Sequence, residues 1–162
     1  MPLEWMIYVF LTLGLASALV AGVFQSFSDF VMAGLSRAAP AGGIDAMQQL
    51  NRTVFRSVFI ATFLGLAPVS IGFAVYAWWS LDGLAQVLVI AAALIYVPSV
   101  FGVTAAGNVP MNERLDKLPA TSDPAADYWP TYVRDWTRWN TLRTFGSIAT
   151  AVAYLLAAVV LA

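Results

Sequence analysis

The sequence of 162 residues contains no cysteine and no histidine. Without cysteine, the chain has no disulfides, no thiolate metal sites and no cysteine nucleophile. Without histidine, it lacks the usual base of Ser-His-Asp catalysis and the Glu-x-x-His pairs of di-iron helix bundles. Any chemistry must therefore use carboxylates, arginine, amides, hydroxyls and aromatic rings, and we predict no metal site and no cofactor.

Charged residues are also scarce. They make up 10% of the chain, against 60% hydrophobic residues, and the mean hydropathy is +0.77. Soluble domains average about 25% charged residues, so this chain has too few to cover a surface that faces water. The formal net charge of −1 argues against a nucleic-acid partner, which basic proteins bind by neutralising phosphates. The composition therefore predicts an integral membrane protein whose partner is the lipid bilayer.

Four long apolar stretches predict the fold. Each approaches or exceeds the roughly 20 residues that cross a bilayer, and in lipid such stretches form helices because every backbone group must be bonded internally. We predict an all-α protein, a single transmembrane four-helix bundle over residues 1–162, with a short amphipathic helix within residues 126–138 before the last span. The predicted spans are about 5–36, 52–80, 83–108 and 138–161.

The basic residues predict the orientation. All eight fall in the first and third connections or beside them, whereas the opposite side carries only Glu4 and Asp82. By the positive-inside rule, both connections face the cytoplasm and both termini lie outside, in the inner (plasma) membrane. The basic residues are Arg37, Arg52, Arg56, Arg114, Lys117, Arg134, Arg138 and Arg143.

Polar residues enter the helices at this same end. In the first span, Gln25 and Asp29 are one turn apart, and a carboxylate near lipid needs a partner. Either Arg52 or Arg143 is the expected partner of Asp29. Near the start of the last span, one helix face is predicted to carry Trp136, Trp139, Asn140 and Arg143. A second interpretation stays open, because Asn, Gln and Asp–Arg pairs also hold helices together without any chemistry.

Four strings of the sequence resemble the anthrone oxygenase-like family of small four-helix membrane proteins. The resemblance extends over nearly the whole chain, and the strings follow the family's order. Many relatives have histidine where this chain has Thr141. The strings are GVFQSFSDFVM (22–32), MQQLNR (47–52), NVPMN (108–112) and WTRWNTLR (136–143).

The resemblance implies an activity. Fungal members of this family oxidise an anthrone to an anthraquinone with O₂ and without an evident cofactor. The implied function is a cofactor-independent monooxygenase that binds a lipophilic aromatic or quinol-like molecule in a polar pocket at the cytoplasmic end. Asp29 would be the base, and the oxyanion would be held by Arg143 or Arg52, with Asn108 or Asn140. The predicted substrate-binding residues are Gln25, Asn51, Arg52, Asn108, Asn112, Trp136, Trp139 and Asn140.

A different class of function also fits the sequence. The chain would then be a non-catalytic accessory or structural subunit of a larger membrane protein complex, and the polar end would be its docking surface. A transporter is a weaker alternative, because the outer half of the bundle shows no polar path.

Overall fold

A computed structural model describes residues 4–162 of the chain, which form helices and no strand. Four of the five helices are long and apolar enough to cross a membrane, which confirms the all-α fold and the four apolar helices of a multi-pass membrane protein. The helices are α1 (Glu4–Arg37), α2 (Pro40–Thr53), α3 (Val58–Ser80), α4 (Gly83–Asp116) and α5 (Asp123–Leu161), of which α2 is not one of the four.

The last helix differs from the prediction. Residues 126–138 are helical, but they do not form a separate short helix, because α5 runs without a break over 39 residues. The Ser122 hydroxyl caps its start by accepting a hydrogen bond from the Ala125 N–H at 3.4 Å. At 1.5 Å per residue, α5 is about 58 Å long, roughly twice the hydrocarbon thickness of a bilayer. Its first turns therefore project beyond the membrane-spanning part.

The connection between α2 and α3 places one predicted site residue differently. A 3₁₀ turn (Val54–Arg56) follows α2, and Ser57 is extended. The Ser57 hydroxyl then starts α3 by accepting a hydrogen bond from the Ile60 N–H at 3.2 Å. Arg52 consequently lies in α2 and not at the start of a span. At the other end of the bundle, Gly83 has φ +62°, the left-handed conformation that lets α4 follow α3 after a very short turn.

Helix α5 is the centre of the bundle. Half of its most apolar window is buried, against a third or less for the other three spanning helices, and it packs mainly against α1 and α4. Its apolar side chains join two cores. The first core lies among the spanning helices and contains Phe10, Tyr96 and Tyr154. The second surrounds α2 and contains Met47 and Tyr132.

Three π-helical segments interrupt the regular hydrogen bonding of α1 and α4. They are Phe27–Val31 in α1 and Val97–Gly102 and Thr104–Asn108 in α4. Pro98 lies within the second segment, where the missing proline N–H disturbs the bonding of a regular helix. Such wide turns are frequent at functional sites. Here two of them supply residues to the cluster described next.

Candidate functional site

The centre of the polar cluster is Arg143 on α5, a residue that is only 6% exposed. It donates from Nη2 to the Asn140 side-chain oxygen at 2.8 Å and from Nη1 to the Thr104 hydroxyl at 3.2 Å. Its guanidinium carbon lies 4.3 Å from the ring centroid of Phe24 and 5.3 Å from that of Trp136. Arg143 forms no salt bridge with a carboxylate of residues 4–162. Neutral oxygens and aromatic faces therefore hold a buried positive charge.

The predicted ion pair between Asp29 and an arginine is wrong. Asp29 is exposed and, within residues 4–162, accepts a side-chain hydrogen bond only from Gln25, at 3.2 Å. Arg52 pairs instead with Asp116, at 2.7 Å. The cause is the periodicity of α1. Ser28 faces α5, and the residue that follows it in the helix points to a different side. Asp29 therefore points away from Arg143.

Asn140 joins α1 to α5 and holds Arg143 in place. Its Nδ2 donates to the Phe24 carbonyl oxygen at 2.6 Å and to the Ser28 hydroxyl at 2.7 Å. Its Oδ1 accepts the bond from Arg143. The Ser28 hydroxyl also lies 3.0 Å from the hydroxyl of Thr141. Both the nitrogen and the oxygen of the Asn140 amide are therefore bonded to protein groups.

Asn112 is the acceptor of a second hydrogen-bonded group. Its Oδ1 receives the Tyr132 hydroxyl at 2.7 Å and the Trp136 indole N–H at 2.8 Å. The Asn51 amide donates to the Tyr132 oxygen at a longer 3.4 Å. These bonds connect α2, the last turns of α4 and the projecting part of α5.

A cavity of about 390 Å³ lies between the two cores and adjoins both hydrogen-bonded groups. Its size falls in the range of about 300–1,000 Å³ that small-molecule sites occupy. Among the described residues that line it, Arg143 is the only charged one. The aromatic lining residues are Phe24, Phe27, Phe55, Phe59, Phe63 and Trp136, and the polar ones are Asn51, Thr53, Ser57, Thr104, Asn112 and Asn140.

The structure brings together half of the ten predicted site residues. Asn51, Asn112, Trp136, Asn140 and Arg143 line the cavity, and Gln25, Asp29, Arg52, Asn108 and Trp139 do not.

Two of the residues outside the cavity still support it. Asn108 is buried and donates to the Trp136 carbonyl oxygen at 3.2 Å. Trp139 is partly exposed and lies against Gly107, where an added Cβ would come within 2.8 Å of its ring. Both hold α4 against α5 rather than contact the cavity. Gln25, Asp29 and Arg52 are exposed.

Sequence reasoning missed Tyr132, Thr104 and the phenylalanines of the lining. Tyr132 could have been found, because it lies one turn before Trp136 on the same face of α5. Thr104 and Phe63 carried no such signal, because a hydroxyl or an aromatic ring inside an apolar span is common in cores.

The side chains around the cavity limit which ligands it can bind. No group of three or more His, Cys, Asp or Glu side chains able to hold a metal ion occurs within residues 4–162. The lining combines flat apolar rings with one guanidinium, which suits a planar aromatic molecule that carries negative charge on an oxygen.

Comparisons with known proteins identify the family. No curated protein and no solved structure matched the chain. The sequence model of anthrone oxygenase matches residues 50–153, most of the chain, and this region includes every cavity residue named above from α3, α4 and α5. The protein belongs to the anthrone oxygenase family.

Proposed function

We propose that this protein is a cofactor-independent oxygenase that binds a lipophilic aromatic substrate, an anthrone or a quinol-like molecule, in the cavity beside Arg143. The observation that carries the proposal is the buried Arg143 without a carboxylate partner in an aromatic pocket. A buried charge without a counterion is costly. Binding an anionic oxygen offsets that cost, so the site favours the ionised form of the substrate.

The chemistry follows from that preference. An anthrone loses a proton from its methylene carbon to give an enolate, whose negative oxygen Arg143 stabilises as an oxyanion hole would. The enolate carbon transfers electrons to O₂ and forms a C–O bond, and the resulting hydroperoxide loses water to give the quinone carbonyl. One atom of O₂ stays in the product. The other leaves as water with the two methylene hydrogens.

The proton acceptor in this proposal differs from the one the sequence predicted. Asp29 lies outside the cavity, and no carboxylate is among its described lining residues. A nearby positive charge lowers the pKa of a group that ionises to an anion. Arg143 therefore lowers the pKa of the bound substrate, and in this proposal water takes the proton without a protein base.

The cavity borders the surface at the junction of α2 and α3. There Phe55 is 71% exposed and Leu50 is also exposed. This is the end that carries the basic residues, so the positive-inside rule assigns it to the cytoplasmic side of the inner membrane, with both termini outside. An apolar substrate would reach the cavity from the bilayer.

The test is O₂ consumption and anthraquinone absorbance with anthrone, measured on detergent-purified protein and compared with buffer alone. We expect Arg143→Gln to lower kcat by roughly 10²–10³-fold, the effect of removing one oxyanion donor. Arg138→Gln is the matched control, because Arg138 lies on the same helix with a side chain that is 75% exposed. It should leave the rate unchanged.

Two results would contradict the proposal. One is wild-type protein that does not accelerate the reaction. The other is an Arg143→Gln variant as fast as the wild type. Purification with a stoichiometric protein partner and no turnover would favour the accessory-subunit alternative.

A further inference from the structure

We infer that Asn112 is a specificity-determining residue whose amide N–H₂ group donates to a second oxygen of the ligand that Arg143 holds. The inference rests on the proposed function and assigns a role to one residue within it. The Asn112 side chain has a fixed orientation on the cavity wall.

The orientation of the Asn112 amide follows from its neighbours. The Trp136 indole nitrogen lies 2.8 Å from the Asn112 amide, and an indole N–H can only donate. The Asn112 atom that faces it must therefore be the oxygen, which also receives the Tyr132 hydroxyl at 2.7 Å. A flipped amide would place the Asn112 N–H₂ group against the Trp136 N–H, where two donors face each other without an acceptor. The Nδ2 group is consequently held on the opposite side.

Among the described asparagines that line the cavity, Asn112 is the one whose N–H₂ group donates to no protein group. Three asparagines line the cavity. Asn140 donates to Phe24 and Ser28, and Asn51 donates to Tyr132. Asn112 donates to no protein acceptor within residues 4–162, and its nitrogen is not sealed inside the protein. Its two N–H bonds are free for a ligand in the cavity.

Arg143 and Asn112 line the same cavity, and both contact Trp136. The guanidinium carbon lies 5.3 Å from the centroid of the indole ring, and the Asn112 oxygen accepts from its nitrogen. One wall thus offers a cationic donor and a neutral donor beside a flat ring. A ligand with two oxygens satisfies both. A ligand with one oxygen leaves a desolvated N–H without an acceptor, which sites of this kind reject strongly.

The experiment compares anthrone with 1-hydroxyanthrone, which adds a second oxygen next to the first. We expect wild-type protein to prefer 1-hydroxyanthrone in kcat/KM. Asn112→Asp keeps an oxygen for Tyr132 and Trp136 and replaces only the N–H₂ group. It should reduce the preference by about tenfold or more, as loss of a single hydrogen bond to substrate does. The added charge affects both substrates, so the ratio isolates the second oxygen.

Gln49→Glu is the matched control. It makes the same amide-to-carboxylate change on an exposed part of α2 and should keep the full preference. If Asn112→Asp does not fold, Trp136→Phe decides instead, because it removes the indole N–H that orients the amide. The inference is overturned if Asn112→Asp, or Trp136→Phe in its place, keeps the full preference for 1-hydroxyanthrone. It is also overturned if the wild type shows no such preference.

A failure of the proposed function can be told apart from a failure of this inference. If neither anthrone is turned over, the binding of anthraquinone and 1-hydroxyanthraquinone, followed by tryptophan fluorescence, still measures the preference. If Asn112→Asp then loses the binding preference, the role of Asn112 is supported although the proposed function is not. If the preference persists in this variant, the inference about Asn112 is overturned.

Discussion

Asn140 accepts a hydrogen bond from Arg143 at 2.8 Å and donates at 2.6 Å to the Phe24 carbonyl oxygen on α1. One amide therefore positions the cation of the cavity and fastens α1 to α5. The Phe24 ring lies against the same guanidinium, 4.3 Å from its carbon. The geometry of the site is thus coupled to the packing of the two helices, and changes at these residues should alter both.

Replacing Asn140 tests this coupling. Asn140→Ala removes the bonds that Asn140 makes to the Phe24 carbonyl oxygen, the Ser28 hydroxyl and the Arg143 guanidinium, so we expect a loss of about 2–3 kcal/mol in unfolding free energy. Unfolding in detergent, followed by circular dichroism, measures it. The control Gln49→Ala changes an exposed side chain and should stay within about 0.5 kcal/mol of the wild type. Equal stability of both variants would show that the Asn140 bonds are not needed.

Arg143→Lys tests whether the shape of the cation matters as well as its charge. Lysine keeps the positive charge but cannot bond to Asn140 and Thr104 with a flat fork, nor stack its head on Phe24. We expect kcat/KM with anthrone to fall by about tenfold or more, which corresponds to about 1.4 kcal/mol. Arg138→Lys on the exposed face of α5 should have no effect. Wild-type kinetics in Arg143→Lys would mean that a point charge suffices.

Asp29→Asn separates the structural interpretation from the one based on sequence alone. Asp29 is exposed, accepts a side-chain hydrogen bond from Gln25 and does not line the cavity. We therefore expect kcat/KM with anthrone to change by less than about twofold, that is, by less than about 0.4 kcal/mol. Steady-state kinetics over a range of pH values measures it. A large loss of turnover would restore Asp29 as the base and would move the reacting group to the outer face of α1.

Gly146→Ala tests the close approach of α4 and α5 next to the site. An added Cβ would clash with the side chain of Ser99 and lie 3.1 Å from Val100, so we expect a loss of about 1–3 kcal/mol from overpacking. Thermal unfolding in detergent should show a lower midpoint. Gly22→Ala is the control, because an added Cβ there meets no atom within 4 Å. Equal midpoints for the two variants would argue against tight packing at Gly146.

Part of the candidate site was predictable from one helix. Four residues recur at helical spacing on α5 and were expected on one face: Trp136, Trp139, Asn140 and Arg143. All of them except Trp139 line the cavity. Asn51 and Asn112 were expected at the same end of the bundle and also reach it. Helical periodicity and the alternating direction of successive spans were enough to predict the positions of these residues, because both follow from the order of residues along the chain.

The role of Asp29 was not predictable in this way. A carboxylate at the same end of the bundle as Arg52 and Arg143 suggested an ion pair, but the pairing depends on which face of α1 packs against α5. That face is set by Phe24 and Ser28 through their contacts with Asn140. Arg52 likewise forms its ion pair with Asp116, because the 3₁₀ turn after α2 keeps Arg52 outside the spans. Neither contact leaves a signal in the sequence.

The sequence by itself determined that this protein is an all-helical membrane protein of the anthrone oxygenase family, and it determined which end of the bundle is polar. Hydrophobic length, scarce charge and the family's motifs carry that information, because they depend on composition and order along the chain. Only the tertiary structure decided that, within residues 4–162, Arg143 is buried without a carboxylate partner and Asn112 donates to no protein acceptor. Those facts depend on the rotation of each helix about its axis, which the packing of side chains from different helices determines.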